Sequence, residues 1–153
     1  MPKQGSAEAT VAAPPDEVFA AVTDIDRLPE WNAIMTDVVE SPAELEPGAE
    51  WVVAFRAMGQ SWNSRSRLDE IDRARRVFQY RSGTDDDNPS YTTWRWQIEP
   101  DGDGDGSRIT LSWDLNPKTF WRRAIIVHLR SRQLRSEVPV SLAALARRVE
   151  SSR

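Results

Sequence analysis

The chain has 153 residues, of which 39% are hydrophobic and 29% charged, with a formal net charge of −4 and no cysteine. This length predicts one domain, and the composition is typical of a globular protein with a packed interior. The absence of cysteine excludes disulfides, thiolate nucleophiles and Cys-ligated zinc. The negative net charge does not favour nucleic-acid binding, so no nucleic-acid partner is expected.

The first residues are not expected to form a secretory signal peptide. The opening MPKQGSAEAT contains no apolar run of the kind a secretory signal peptide requires. No stretch approaches the apolar length of a membrane-spanning helix. We therefore expect a cytoplasmic protein without membrane insertion, present as a monomer or homodimer. Residues 1–153 are expected to form a single domain, with residues 1–6 as a flexible tail.

The first elements in chain order are a strand and two short helices. Residues 8–13 are typical of a strand that ends at a proline pair. Pro15 suits the first turn of a helix, and the apolar residues within 18–22 recur at helical spacing. This pattern predicts a helix ending near Thr23. A second, shorter helical piece is predicted over Arg27–Trp31.

From Val38 onward the hydrophobic period changes to two. This period indicates antiparallel strands with one buried face and one face in water. The connections between strands are short, so we expect a meander of six or seven strands. The alternation is clearest over residues 50–57, 61–69, 76–82, 92–99 and 108–115.

The aromatic residues of these strands share one face of the predicted sheet. Ligand pockets are lined mainly by apolar and aromatic side chains with a few polar groups, which two serines on this face would supply. The alternative is that the rings fill the core, and we expect about half of them to reach a cavity. The candidate ligand-binding residues on the sheet are Trp51, Phe55, Trp62, Ser64, Ser66, Phe78, Tyr80, Trp94, Trp96 and Trp113.

A long amphipathic helix is predicted from Phe120 to about Val149. Pro139 lies inside it and should kink it or divide it in two, because proline removes a hydrogen bond and clashes with the preceding turn. His128, the single histidine, lies one residue from the apolar stripe and is a candidate ligand-binding residue at the cavity mouth. The alternative is an ordinary helix histidine. Residues 122–153 carry eight arginines, which makes this segment basic.

The segment Asp101–Gly106 alternates Asp and Gly as calcium-binding loops often do. An EF-hand loop that began at Asp101 would need Glu at its twelfth position, where this chain has Ser112. The glycines precede a strand and not a helix, so they do not form a dinucleotide-binding turn. We predict a hairpin loop, and no intrinsic metal, nucleotide or other cofactor.

Six segments of the sequence, taken in chain order, resemble those of a known family. They are Ala13–Phe19 (APPDEVF), Asp24–Trp31 (DIDRLPEW), Gly48–Phe55, Trp94–Trp96, Ser107–Leu115 and Ser141–Glu150 (SLAALARRVE). Together they resemble the polyketide cyclase/dehydrase-like branch of the START/Bet v 1-like (SRPBCC) superfamily. The resemblance implies an α+β helix-grip fold, in which a curved antiparallel sheet wraps a long C-terminal helix and encloses a cavity. It also implies a packing role for Trp31.

Three functions are open at this point. The first is binding of a hydrophobic or aromatic small molecule, lipid- or polyketide-like, in the cavity between sheet and helix. The second is a polyketide cyclase/dehydratase-type enzyme, with Ser64, Ser66, Tyr80 and His128 as candidates for moving protons. The third is an interaction protein that acts through its basic C-terminal helix. Whether the protein is an enzyme is left open.

The arginines of the strands bear on the second function. Aromatic cyclases of the resembled superfamily typically keep an arginine within the pocket. In this chain Arg65, Arg67 and Arg95 alternate with the aromatic residues and are predicted on the opposite face of the sheet. This placement disfavours that chemistry.

Overall fold

The computed structural model describes residues 4–32, 34–57, 59–84, 91–102, 104–116 and 127–151, and the described side chains of the last helix begin at residue 137. The elements in chain order are β1 (Gln4–Val11), α1 (Pro15–Val22), a 3-10 helix (Ile25–Glu30), β2 (Met35–Glu40), β3 (Glu50–Ala57), β4 (Gln60–Asp72), β5 (Val77–Thr84), β6 (Tyr91–Pro100), β7 (Ser107–Asn116) and α2 (Val127–Ser151).

The strands within the described ranges form one sheet in which every neighbouring pair is antiparallel. The spatial order is β1-β7-β6-β5-β4-β3-β2, so β2 to β7 form a meander and β1 adds to the far edge beside β7. The sheet is curved and does not close, because β1 and β2 remain its two edges. Together with the C-terminal helix, this arrangement confirms the predicted α+β helix-grip fold.

The helices cover the inner face of this sheet. α1 begins at Pro15 with Asp16 and Glu17 in its first turn, and it buries three apolar residues. α2 packs against β1 and α1. The core therefore lies between the sheet and one face of each helix. The contribution of α2 to it is made by Val138, Leu142, Leu145 and Val149.

Pro139 does not divide the C-terminal helix. α2 continues through it from Val127 to Ser151, so the predicted division is wrong, whereas the alternative of a kink stays a prediction. Pro139 is on the exposed side of the helix, whereas Val138 and Leu142 on either side of it are buried in the core. Packing of these neighbours offsets the single backbone hydrogen bond that proline removes. The predicted start near Phe120 lies outside the described residues.

The N-terminal strand starts earlier than the sequence suggests. Gln4 pairs with Asp114 and Val11 with Ser107, so β1 runs along the whole of β7. The expectation of a flexible tail is therefore wrong for residues 4–6, while residues 1–3 lie outside the described part of the chain. The residues of β1 that face the core are mainly glycine and alanine, which give little hydrophobic contrast for a strand prediction.

The predicted hairpin between β6 and β7 is confirmed. Pro100 pairs with Ser107, and the backbone N–H of Asp101 donates to the carbonyl of Gly106 at 3.0 Å. The same pairing places Trp94 opposite Trp113, with a ring-centroid distance of 6.1 Å. The loop that resembled a calcium site therefore closes a hairpin and sets the register of two indoles on the inner face.

Gly5 provides a test of this packing. It lies directly opposite Trp113, and a Cβ added there would overlap the Trp113 ring. We expect Gly5→Ala to lower the free energy of unfolding by about 1–3 kcal/mol, measured by urea denaturation. The matched control is Gly104→Ala, where nothing lies within 4 Å of the added Cβ. Equal stabilities for the two variants would contradict the placement of β1.

Candidate ligand-binding site

A partly open cavity of about 110 Å³ lies between the sheet, the 3-10 helix and α2. Strands β3 to β7 supply its floor, the segment from the 3-10 helix to the start of β2 supplies one wall, and α2 supplies the other. The described residues that line it are Leu28, Trp31, Asn32, Ile34, Met35, Trp51, Val53, Phe55, Ser66, Tyr80, Ser82, Thr92, Trp94, Trp96, Leu111, Glu137, Val138 and Ser141.

The structure brings six of the ten candidate residues of the sheet to this cavity. They are Trp51, Phe55, Ser66, Tyr80, Trp94 and Trp96. The four that do not line it are Trp62, Ser64, Phe78 and Trp113. The side chain of His128, the candidate on the C-terminal helix, lies outside the described residues. Binding itself remains a prediction for all of them.

The aromatic residues away from the cavity have packing partners that explain their positions. Phe78 is only 2% exposed and stacks on Trp51 at a ring-centroid distance of 5.9 Å. Trp62 stacks on Phe55 at 5.7 Å, near the turn between β3 and β4. Period-two alternation identifies which side chains of a strand lie on the inner face of the sheet. It does not identify which of these side chains border the cavity, because that depends on the helices that cover each part of the strand.

Trp31 is the most important lining residue that the sequence analysis missed. It follows the 3-10 helix, is 4% exposed, and meets Trp96 edge to face with ring centroids 5.7 Å apart. It does pack, as the family resemblance implies, but it also borders the cavity. Ser82 and Thr92 were missed as well, although each continues the alternation that identified Tyr80 or Trp94.

Two indoles of β6 are held by hydroxyl groups of the neighbouring strand β5. The Nε1–H of Trp94 donates to the Ser82 Oγ at 2.9 Å. The Nε1–H of Trp96 donates to the Tyr80 hydroxyl oxygen at 3.4 Å. Each hydroxyl thus accepts from an indole and keeps its own proton for donation. These cross-strand bonds fix how the rings face the cavity.

Tyr80 is the one described group of the site with a shifted acidity. Burial raises its pKa to about 12 from an ordinary value of 10.0, and the hydrogen bond from Trp96 lowers it by less. Burial of a neutral hydroxyl costs less free energy than burial of a phenolate, because a charged group loses more hydration free energy. Tyr80 is therefore a protonated hydrogen-bond donor throughout the physiological pH range.

The arginines of the sheet point away from the cavity, as the alternation predicted. Arg65 pairs with Glu40 and with Glu50 at 3.4 Å each, and Arg95 pairs with Glu70 at 3.1 Å. Arg67 is exposed. Among the described lining residues Glu137 is the single charged side chain, so they provide no cation for an anionic ligand.

The basic C-terminal segment is partly neutralised within the molecule. The guanidinium of Arg148 lies 2.9 Å from the carboxylate of Glu30, which links α2 to the 3-10 helix. Arg147 is exposed, and the side chains of the arginines before Glu137 lie outside the described residues. The hypothesis of an interaction surface on this helix stays a prediction.

Clusters of metal-binding side chains and membrane-spanning helices are both absent from the described ranges. No group of three His, Asp or Glu side chains is placed there to hold a metal ion. No helix in the same ranges is long and apolar enough to cross a membrane.

A family model described as "Polyketide cyclase / dehydrase and lipid transport" matches residues 4–150. The chain belongs to this family. No curated protein matches it in sequence. The family match agrees with the resemblance of the six segments, and the matched residues cover nearly the whole chain.

Solved structures share the fold of this family member. The Zhui aromatase/cyclase from Streptomyces sp. R1128 has a TM-score of 0.76 at 19% identity, covering 96% of this chain and 93% of that one. A START superfamily protein from Mycobacterium smegmatis has a TM-score of 0.72 at 19% identity, covering 98% and 99%. The di-domain ARO/CYC BexL from the BE-7585A biosynthetic pathway has a TM-score of 0.76 at 19% identity, covering 97% and 47%.

The acidity of Tyr80 predicts a pH dependence of stability. The unfolded chain releases this proton from about pH 10, whereas the folded protein keeps it until about pH 12, so rising pH in this window favours unfolding. Wild type should lose about 1.4 kcal/mol more unfolding free energy than Tyr80→Phe between about pH 8 and pH 11. Urea denaturation across this range measures the difference. Parallel losses in the two proteins would show that Tyr80 titrates normally.

Proposed function

We propose that the protein binds a hydrophobic or aromatic small molecule in the cavity between its sheet and α2. The observation that carries this proposal is the lining itself. Indoles and aliphatic side chains from the sheet, the 3-10 helix and α2 converge there with a few hydroxyl groups. Such a combination is typical of small-molecule sites, where apolar surface supplies affinity and sparse polar groups supply orientation.

The cavity volume limits what can be enclosed. Drug-sized ligands occupy pockets of roughly 300–1,000 Å³, whereas an apolar cavity of about 150 Å³ accepts benzene. A cavity of about 110 Å³ is smaller than both, so it encloses at most one ring or a short chain segment. A larger lipid- or polyketide-like molecule would place one ring inside and extend the rest through the opening.

The apolar contribution to binding is moderate. Covering about 200 Å² of apolar surface contributes roughly 5 kcal/mol before the entropy cost of association is subtracted. Micromolar affinity corresponds to about 8 kcal/mol, so polar contacts must add to this. The hydroxyls of Tyr80, Ser82 and Ser66 lie on residues that line the cavity and are suited to that role.

Binding without turnover is favoured over cyclase-type catalysis. A general acid or base works best with a pKa near the operating pH, and the pKa of Tyr80 at about 12 is far above it. Ser64, a second candidate for proton transfer, does not line the cavity. The described lining also contains no arginine. The similarity in fold to aromatase/cyclases leaves catalysis as the alternative proposal.

Ser64 and Ser66 offer a matched test of the proposal. Both lie on the same face of β4 and are buried, at 7% and 3% exposed, but only Ser66 lines the cavity. We expect Ser66→Leu to weaken acetophenone binding by more than about tenfold, because the larger side chain occupies the space of the ring. Saturable chemical-shift changes in NMR titrations measure the dissociation constant.

The control variant is Ser64→Leu. It should cost about 1–3 kcal/mol of stability through overpacking and leave the acetophenone dissociation constant unchanged at matched folded fraction. Wild-type protein that shows no saturable binding of acetophenone would count against the proposed function. Equal weakening by the two substitutions would place the binding site elsewhere.

A further inference from the structure

Six of the residues that line the cavity are aromatic, and neighbouring rings are turned steeply to one another. Trp31 meets Trp96 with ring centroids 5.7 Å apart and an interplanar angle of 84°. Trp51 meets Tyr80 at 5.1 Å and 67°. Rings arranged in this way bound the space with planes of different orientation. The full aromatic set is Trp31, Trp51, Phe55, Tyr80, Trp94 and Trp96.

The charge distribution of these rings favours a cation. The face of an aromatic ring is negative and its edge is positive, so a cation over a ring face is attracted, most strongly by indole. Four of the six rings are indoles. The positive N–H edges of two of them, Trp94 and Trp96, are bound to the hydroxyl oxygens of Ser82 and Tyr80. The ring faces are then the part of these indoles that remains to interact with a ligand.

The described lining brings no positive side chain to oppose a cation. Among the described residues that border the cavity, none is lysine, arginine or histidine. Arg65 and Arg95 are held on the outer face of the sheet by glutamates. The formal net charge of the chain is −4, which attracts cations over a longer range. A cation in the cavity therefore meets attraction from the rings without repulsion from a described lining residue.

The hydroxyl groups of the site distinguish between kinds of cation. A primary ammonium group carries several N–H donors, and each needs an acceptor once water is excluded. The hydroxyl oxygens of Tyr80 and Ser82 already accept a hydrogen bond from an indole. A quaternary ammonium group has no N–H and needs no acceptor. A trimethylammonium head also has fewer heavy atoms than benzene, which suits a cavity of about 110 Å³.

We propose that the aromatic residues of the cavity form a cage for the quaternary ammonium group of a ligand, whose remaining part extends through the opening. This inference rests on the proposed function and specifies the ligand class as a quaternary ammonium compound, either a free amine or a lipid headgroup. Trp94 is then a specificity-determining residue, because its ring attracts the charge as well as covering apolar surface. The hydroxyl protons of Tyr80 and Ser82 remain free to donate to an oxygen of the ligand.

The test compares choline with 3,3-dimethylbutan-1-ol, which has the same shape but a carbon atom in place of the charged nitrogen. We expect wild type to bind choline at least about fivefold more tightly, because the ring faces attract the charge. A merely apolar cavity predicts the opposite order, since the neutral group leaves water more readily. Ethanolamine, a primary ammonium compound, should bind more weakly than choline. NMR titrations measure the three dissociation constants.

Trp94→Leu removes one ring face at a half-buried position and keeps an apolar side chain. We expect it to weaken choline binding about threefold to tenfold and 3,3-dimethylbutan-1-ol binding by less than about twofold. The matched control Trp62→Leu, outside the cavity, should change neither constant. A second readout needs no substitution: the methyl proton signal of choline should move upfield on binding, as it does over a ring face, and acetophenone should displace choline.

Dihexanoylphosphatidylcholine, used below its micelle concentration, distinguishes the two sources of the group. Tighter binding of this lipid than of choline identifies a lipid headgroup as the ligand. Weaker binding identifies a free quaternary amine. Either result supports the cage, provided that choline binds more tightly than its neutral isostere.

The outcomes separate the inference from the function on which it rests. If acetophenone binds wild type but choline binds no better than 3,3-dimethylbutan-1-ol, the cage is overturned while the binding function stands. Equal binding of ethanolamine and choline, or equal loss of both isosteres in Trp94→Leu, would also overturn it. If neither choline nor acetophenone binds wild type, the proposed function fails and the inference fails with it.

Discussion

The inner face of the antiparallel sheet has to be covered by elements that are smaller than it is. Strand alternation places bulky aromatic side chains on this face, and register brings Trp94 opposite Trp113 and Phe78 opposite Trp96. α1, α2 and the 3-10 helix bury most of this surface. Where the 3-10 helix and α2 leave a gap, the rings of β3, β5 and β6 line a cavity. The fold and the candidate site thus follow from the same mismatch in shape.

The polarity of the cavity has a structural origin as well. An indole brings a large apolar surface with one N–H that must be satisfied. The sheet satisfies two of these N–H groups with cross-strand hydroxyls on β5, which turns the hydroxyl protons into free donors. Trp31, which comes from the 3-10 helix segment, faces no such strand neighbour. The result is an apolar space into which two strand residues, Tyr80 and Ser82, bring hydroxyl groups that can still donate.

The sequence was sufficient for the fold but only partly for the site. Period-two alternation and the family segments predicted the sheet, and the same alternation placed Arg65 and Arg95 on the outer face. Neither the alternation nor the family segments could distinguish Ser66, which lines the cavity, from Ser64, because the two serines lie on the same face of one strand. Trp31 was missed because its approach to Trp96 depends on tertiary packing of the 3-10 helix, which local periodicity does not encode.

The central claim is that a small hydrophobic or aromatic molecule, for which acetophenone is a probe, occupies the cavity between the sheet, the 3-10 helix and α2. Intermolecular nuclear Overhauser effects between unlabelled acetophenone and isotope-labelled protein test it most directly. The account predicts contacts from the ligand ring to the indole protons of Trp31, Trp51 and Trp96, and none to those of Trp62. Contacts to Trp62 or to the outer face of the sheet, without any to Trp31 and Trp96, would contradict it.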